Sequence, residues 1–422
     1  MSASLSRDRS YDKTSLIYDR IIQSCLIAIL IFAPLALGAK RLWAITPVYL
    51  VTLAASCALF LRLNAQGAPA GFRWTPLGLP LFLFLALAAA SCFTSAYPHD
   101  SVMALYRVIT YTAIFLLIVN SMDSRERMAR LVSVIVGMGA FLSLLGLVLY
   151  LGHAYYRYWL PGDTLSATYI NRDHFAGYLE MVLPLSITFL YTDIEKEKKV
   201  LVGFCVVVMA VAFVLAASRG AWTSLLASGL LILPFIYRKK LLKRILLGLI
   251  LCGMAIYLAL SQFDLSVAAA RARTIIEGVG IDDLRIQIWI GSMDLIKAYP
   301  WIGSGIGTFI HVFPQFRPIG IAQHWIIDYA HNDYLQTAAE LGLIGLLLIL
   351  WVIAVAVWSG LREFSNSQGP FKRSILLGAA IGVMSMAFHS FVDFNLHIPA
   401  NAIMFMTLMA IIMTMCGRRR YE

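Results

Sequence analysis

The sequence predicts an all-α polytopic membrane protein of about 12 transmembrane helices, with a partly helical lid on its outer side. Three observations predict it. Of the 422 residues, 60% are hydrophobic and only 14% charged, where soluble globular chains carry roughly 25% charged residues. Apolar runs close to the roughly 20 residues needed to cross a bilayer recur along most of the chain. Lysine and arginine gather in alternate connections, as the positive-inside rule requires.

Taken in order, a polar tail at 1–20 precedes a first apolar run at 21–38. That run lacks a small-residue cleavage site and reads as an anchor, not a cleaved leader. Runs at 43–61, 77–95, 104–120 and 131–151 follow, then 173–191, 200–217, 221–237 and 245–263. Three more, at 334–358, 375–393 and 398–416, close the chain. With the N-terminus inside, 23 of the 34 lysines and arginines fall in cytoplasmic segments, among them YRKKLLKR from Tyr237 to Arg244. The net charge of +11 therefore reads as topology and excludes nucleic acid as the expected partner. The six cysteines, Cys25, Cys57, Cys92, Cys205, Cys252 and Cys416, lie within spans and form no CxxC pair. They read as small apolar residues, not as a disulfide framework or a zinc site.

Two outer segments stand out, about 152–172 and 264–330. In the longer one, Leu284, Ile288, Leu295 and Ile296 recur at helical spacing within DDLRIQIWIGSMDLIKAYP. Asp282 and Asp283 suit the start of that helix and Pro300 marks its end. It is expected to lie over the mouth of the bundle as an amphipathic lid. The following IGSGIGTF resembles part of a dinucleotide fingerprint but follows a helix instead of a strand, so it reads as a turn closing the lid.

The most informative stretch is AHNDYLQTAAELGLIGLLLIL, from Ala330 to Leu350, a membrane helix with a polar mouth. Asn332 or Asp333 can cap the helix, and His331 is not needed for that. On one face stand His331, Tyr334 or Leu335, Ala338, Gly342 and Gly345, and the small residues invite close packing of another helix. His331 is then expected in a protein-lined mouth, either as a structural histidine or as a general base. Arg219 in AASRGAW, Arg172 in INRDHFAGY and Arg285 on the lid helix also map outside. Singly, Arg219 suits an interface anchor, and Arg172 and Arg285 suit a surface charge as well as a site. Together they suit an anion, because guanidinium groups hold phosphate bidentately and stay charged.

A base among arginines fits displacement of a phosphorylated lipid leaving group. No HExxH or paired-carboxylate motif asks for a metal. All eight histidines map to outer positions, but at spacing too irregular for a metal cluster. Glu340, about 10 Å along the helix beyond Asp333, is an embedded charge with Glu180 and Asp393. Such charges either serve function or pair with arginines. No inverted repeat of the secondary-transporter kind is visible.

HNDYLQTAAELGLIG resembles the signature of the O-antigen ligase and polymerase superfamily: His, then Asn, Ser or Gln, nine residues, and GxxG. Here His331 and Asn332 are followed by Asp333 to Leu341 and then by Gly342 and Gly345. SRGAW around Arg219 and LRIQIWIGSMDLIKAYPWIGSGIGTF around Arg285 stand in the family's order. NRDHFAGYL is similar to its Asn-x-Asn-His-Phe-Ala-Gly element, with Asp173 in place of the second Asn. The resemblance covers residues 165–350, a core that includes the loop 264–330 within one membrane domain, 1–422.

The resemblance implies a GT-C-like glycosyltransferase of the bacterial inner membrane, active on the periplasmic face without metal or other cofactor. Its donor would be an undecaprenyl-pyrophosphate-linked glycan. Its acceptor would be a hydroxyl of lipid A–core, as in the ligases. Polymerases and protein O-oligosaccharyltransferases of the same superfamily are the alternatives, and a lipid-glycan transporter is the alternative from another class. By the same resemblance His331 activates the acceptor hydroxyl and Arg219 and Arg285 hold the pyrophosphate. Arg172, Asn332 and Tyr334 join them as substrate-binding candidates.

Overall fold

The computed structural model describes residues 2–65, 71–152, 165–236, 269–270, 273, 283–322, 324–416 and 421. The expected span at 245–263, the YRKKLLKR run and most of the outer segment 152–172 lie outside the described residues. Every other expected run coincides with a helix.

Eight helices form the first part: α1 (Ser2–Leu35), α2 (Leu42–Ala65), α3 (Gly78–Thr94), α4 (Pro98–Ser121), α5 (Arg125–Leu151), α6 (Arg172–Phe189), α7 (Lys196–Leu215) and α8 (Arg219–Ile236). After them come the lid helix α9 (Asp283–Ala298), the single turn α10 (Phe309–Val312), α11 (Asp333–Asn366), α12 (Pro370–His389) and α13 (Pro399–Met415). No strand occurs among the described residues. Among the described residues, seven helices are long and apolar enough to cross a membrane: α1, α2, α4, α5, α7, α11 and α12. Helices α3, α8 and α13 are apolar but shorter. The chain is an all-α multi-pass membrane protein.

Helix α6 carries Arg172, Asp173 and Glu180, and the bundle shields it: it is buried almost continuously from His174 to Phe189. Helix α12 lies against it through two glycines one turn apart. A Cβ on Gly378 would sit 2.6 Å from Leu185 Cα, and one on Gly382 would sit 2.7 Å from the Met181 carbonyl oxygen. Small residues at this spacing let two backbones approach where apolar burial alone gives helices no reason to associate.

The basic end of the bundle is cross-linked by charge. Arg62 pairs with Asp19, and Arg127 bridges Asp19 and Asp123 at 2.9 Å each. Arg73 donates to the carbonyls of Met413, Thr414 and Cys416 at 2.7–2.8 Å, satisfying acceptors that the end of α13 leaves open. The opposite end holds the functional candidates.

Helix α11 departs from expectation. It breaks at Gly342, with φ 69° and ψ −174°, a conformation open essentially to glycine alone. The break frees backbone groups, and the glycine-rich turn after α9 takes them up. Leu343 N–H donates to Pro300 O (2.8 Å), Ser304 N–H to Ala339 O (3.0 Å) and Gly305 N–H to Glu340 O (3.0 Å). The Glu340 carboxylate accepts from Gly307 N–H (2.7 Å), Phe309 N–H (3.3 Å) and Gln336 Nε2 (3.0 Å). Gly342 therefore receives the Trp301 backbone and not another helix, since a Cβ there would lie 2.1 Å from Trp301 O. Glu340 fastens the turn, and because the break lies beyond it, the run from Asp333 to Glu340 is helical as expected.

Helix α9 buries Ile288, Leu295 and Ile296 against Phe309, Phe313, Ala338 and Ala339. Ile286, Ile290 and Met293 remain exposed on its other side, as suits a helix at a membrane interface.

Gly342→Ala should lose roughly 2–6 kcal/mol, from backbone strain plus overlap with Trp301. Thermal unfolding of the detergent-solubilised protein would read this as a clear fall in midpoint. Gly229→Ala, where a Cβ would meet nothing within 4 Å, should leave the midpoint unchanged.

Candidate active site

His331 is held from both sides. Ala330 N–H donates to Gln336 Oε1 (2.9 Å), and Ala330 O accepts from Trp289 Nε1 of the lid helix (3.0 Å). Asn332 is the N-cap of α11, its Oδ1 accepting from the N–H groups of Tyr334 and Leu335 at 3.0 Å. Between these anchors His331 adopts φ 50°. Left-handed backbone is uncommon outside glycine, and histidine is among the residues enriched there. Such an outlier persists only where its surroundings fix it, and it is a pointer to function.

Below His331 runs the corner between α12 and α13. Asp333, 1% exposed, ties α11 to this corner. Its Oδ2 accepts from Ser390 Oγ (2.9 Å) and Leu396 N–H (3.1 Å), and its Oδ1 lies 2.7 Å from His397 Nδ1. The corner thereby places Asp393 Oδ1 3.6 Å from His331 Nδ1. The Asp393 side chain is 2% exposed and that of His331 32%. His331 Nδ1 and Asp393 Oδ2 have no hydrogen-bond partner among the described residues. The pair is one step looser than a hydrogen bond. Burial alone would raise the Asp393 carboxyl. His331, His174, His389 and Arg285 outweigh it and hold the group well below the usual carboxylate range.

The cations converge on the same corner. Arg285, in the first turn of α9, donates from Nη1 to the Val392 carbonyl at 2.7 Å, next to Asp393. Arg219 opens α8 two residues after Ala217, another residue at positive φ (53°). Its neighbour Gly220 touches the corner, since a Cβ there would lie 2.7 Å from His389 Nε2. Arg172 opens α6, capped by Asn171, whose Oδ1 accepts from Asp173 N–H at 2.8 Å. Two residues on, the His174 ring packs edge-on against Phe394 with centroids 4.7 Å apart. Three helix N-termini with their arginines thus face one end of the bundle, where fixed N–H dipoles and guanidinium charge favour an anion.

His331 and Arg285 meet at adjacent residues of the corner, and Arg219 and Arg172 approach it on the starts of α8 and α6. Asn332 is spent on capping. The Tyr334 hydroxyl donates to Ala387 O (2.6 Å) and the residue is 6% exposed, so it joins α11 to α12.

The sequence did not single out Lys40 or Phe394, and it left Asp393 open as a functional charge or an arginine's partner; the structure sets it facing His331. Lys40 Nζ lies 5.1 Å from the Tyr329 ring centroid and 5.8 Å from that of Phe394. Burial lowers its pKa, against the pull of Asp328. The signal that drew attention to Arg219, a cation in a short outer connection, applies equally to Lys40. Phe394 touches His174, Tyr329 and His331, and nothing in its sequence context marks it. Glu180, fully buried, accepts from Ser385 Oγ and lies 2.9 Å from His389 Nδ1, locking α6 to the corner.

The family model described as O-antigen ligase matches residues 204–350. Over that stretch, about a third of the chain, the sequence is similar to the O-antigen ligase family. The matched stretch holds Arg219, Arg285 and His331, while Arg172, Lys40 and Asp393 lie outside it. That similarity supports a glycosyltransferase-like activity of the O-antigen ligase and polymerase type. No curated protein matches the chain.

If the corner imposes the left-handed backbone at residue 331, His331→Gly should be more stable than His331→Ala. The expected margin is roughly 1 kcal/mol, because alanine carries the left-handed penalty and glycine does not. Denaturation midpoints of the two variants measure it, and an alanine variant at least as stable would show that this backbone is not imposed.

Proposed function

We propose that this protein transfers a glycan from undecaprenyl-pyrophosphate to an acceptor hydroxyl at the periplasmic face of a bacterial inner membrane. The acceptor on this reading is lipid A–core. The observation that carries it is the facing of His331 and the buried Asp393 carboxylate, with Arg285 bonded to the residue beside Asp393.

His331 Nδ1 faces Asp393, which leaves Nε2 for the acceptor. As the acceptor oxygen bonds to the anomeric carbon, its proton passes to His331 Nε2, and the bond from that carbon to the pyrophosphate oxygen breaks. Asp393 stabilises the imidazolium so formed, and Arg285 and Arg219 stabilise charge on the departing pyrophosphate. One displacement on one face of the sugar inverts the anomeric centre. Among the described residues a single nitrogen of the Arg285 guanidinium is engaged, so the group keeps donors for the leaving group. Arg172 and Lys40 add positive charge at the rim.

His331→Ala and Arg285→Ala should each reduce transfer from a lipid-linked glycan by ~10²–10⁴-fold in a membrane assay, with normal insertion. Full activity in both variants would overturn the mechanism. The product identifies the acceptor: glycan on lipid A–core supports the ligase assignment, and lengthened lipid-linked glycan replaces it with the polymerase.

Asp393→Asn separates positioning from binding. It should lower kcat at least roughly tenfold while leaving the donor KM nearly unchanged, because the carboxylate acts through His331 and not on the donor. A raised donor KM with unchanged kcat would instead place Asp393 in the donor site.

A further inference from the structure

Next to the site lies a cavity of about 440 Å³ that the mechanism above does not use. Its size falls in the ~300–1,000 Å³ range of small-molecule sites. Helices α3, α4, α11 and α13 wall it, and the turn residues Ile306 and Gly307 with Ile310 of α10 roof it. Its deep end is apolar, formed by Leu81, Phe84, Val108, Val352, Met406 and Met409. Its outer end is polar and reaches Tyr329. One ring divides it from the candidate base: Phe394 stacks on Tyr329 at 4.2 Å and meets His331 at 4.8 Å.

The two sides of that ring differ in charge. Arg219 and Arg285 approach the corner on the His331 side. The cavity presents four carboxylates, Asp100, Asp328, Asp333 and Glu340, against Arg107 and His397. Asp333 and Glu340 are occupied by the corner and the turn. Asp100 lies 3.0 Å from His99 Nδ1 and also pairs with His311, which latches the lid to α4. Asp328 is exposed at the rim. Arg107 hydrogen-bonds Tyr49 and keeps its buried Nε without a partner among the described residues. Lys40 also bears on the Tyr329 end, but four carboxylates outnumber the two permanent cations, Arg107 and Lys40, so a pyrophosphate is disfavoured here. A sugar would donate hydroxyls to the carboxylates, accept from Arg107 Nε and stack on Tyr329, while a hydrocarbon chain fills the deep end.

We infer that this cavity binds a glycolipid, with an uncharged sugar at the Asp328–Tyr329 end and its hydrocarbon chain along α4 and α13. Its place behind Phe394 makes it the acceptor side of the site. That last assignment rests on the transferase reading; the ligand chemistry does not. Anionic donor and hydroxyl-bearing acceptor then reach His331 from opposite sides.

Two photoreactive probes with the same dodecyl chain and diazirine, one headed by maltose and one by phosphate, test this on the full-length protein in nanodiscs. Mass spectrometry should map maltoside labelling to α4 and α13 around Val108 and Met406, with little labelling there by the phosphate probe. Val108→Trp, which fills the deep end, should cut maltoside labelling roughly tenfold, and Asp328→Asn in the exposed loop should cut it roughly threefold. Thermal midpoints near wild type qualify each variant, and the loop variant carries the test if the tryptophan does not fold. Equal or stronger labelling by the phosphate probe overturns the inference. So does maltoside labelling that neither variant reduces. A parallel transfer assay keeps the two readings apart. Labelling without any transfer overturns the transferase reading alone, and transfer without labelling at the cavity overturns the glycolipid site alone.

Discussion

The break in α11 at Gly342 is the constraint on which the outer half of the molecule depends. A helix that stops being helical within an apolar bundle leaves N–H and C=O groups unpaired, each costing several kcal/mol away from water. The turn after α9 supplies the missing partners, from Pro300 O to Gly305 N–H, and the Glu340 carboxylate binds the amides of that turn in return. Lid and helix therefore complete each other's hydrogen bonding. The lid then carries Trp289, which holds Ala330, and Arg285, which reaches Val392. The orientation of His331 is thus set by a glycine eleven positions further along the chain.

A second constraint sits beneath it. The α12–α13 corner collects His389, Asp393, Asn395 and His397, all but one of them buried, and meets Glu180 and Asp333 from neighbouring helices. Buried charges of this kind are tolerated when paired and hydrogen-bonded. Two acid–histidine pairs are closed at 2.9 and 2.7 Å, whereas His331 and Asp393 stand at 3.6 Å. The closed pairs fix the corner. The open pair is the one with a half-accessible ring, and it is the one with an unsatisfied nitrogen and oxygen. Rigid support under a single loose contact is what a site needs if that contact is to tighten only with substrate in place.

The helical architecture was legible because hydropathy and the distribution of lysine and arginine both follow from the bilayer, which acts on every span alike. His331, Arg219 and Arg285 stood out for the same reason: polar groups at outer helix ends are expensive where nothing requires them. The break was less legible. Gly342 reads as a small residue for helix packing, because a one-dimensional pattern does not show that its φ is positive. The partner of Asp393 was hidden by distance along the chain, 62 residues from His331, and by the turn geometry that closes it. Phe394 gives no sequence signal at all, since an aromatic in a membrane-proximal turn is ordinary.

Phe394 is also where the chemistry of the site divides. Its ring meets His174 and His331 on one side and stacks on Tyr329 on the other. Guanidinium groups gather beyond the first pair, and the carboxylate-lined cavity opens beyond Tyr329. A transferase must hold two lipid-borne reactants without letting the anionic one occupy both places. Separation by charge achieves this without a moving barrier: a pyrophosphate is favoured among the arginines and disfavoured among the carboxylates, and an uncharged sugar has the reverse preference. The partition leaves His331 at the boundary, with the buried carboxylate behind it and its outer nitrogen toward the reactants. On the proposed mechanism, the same few residues of the α12–α13 corner set both the position of the base and the boundary between its two reactants.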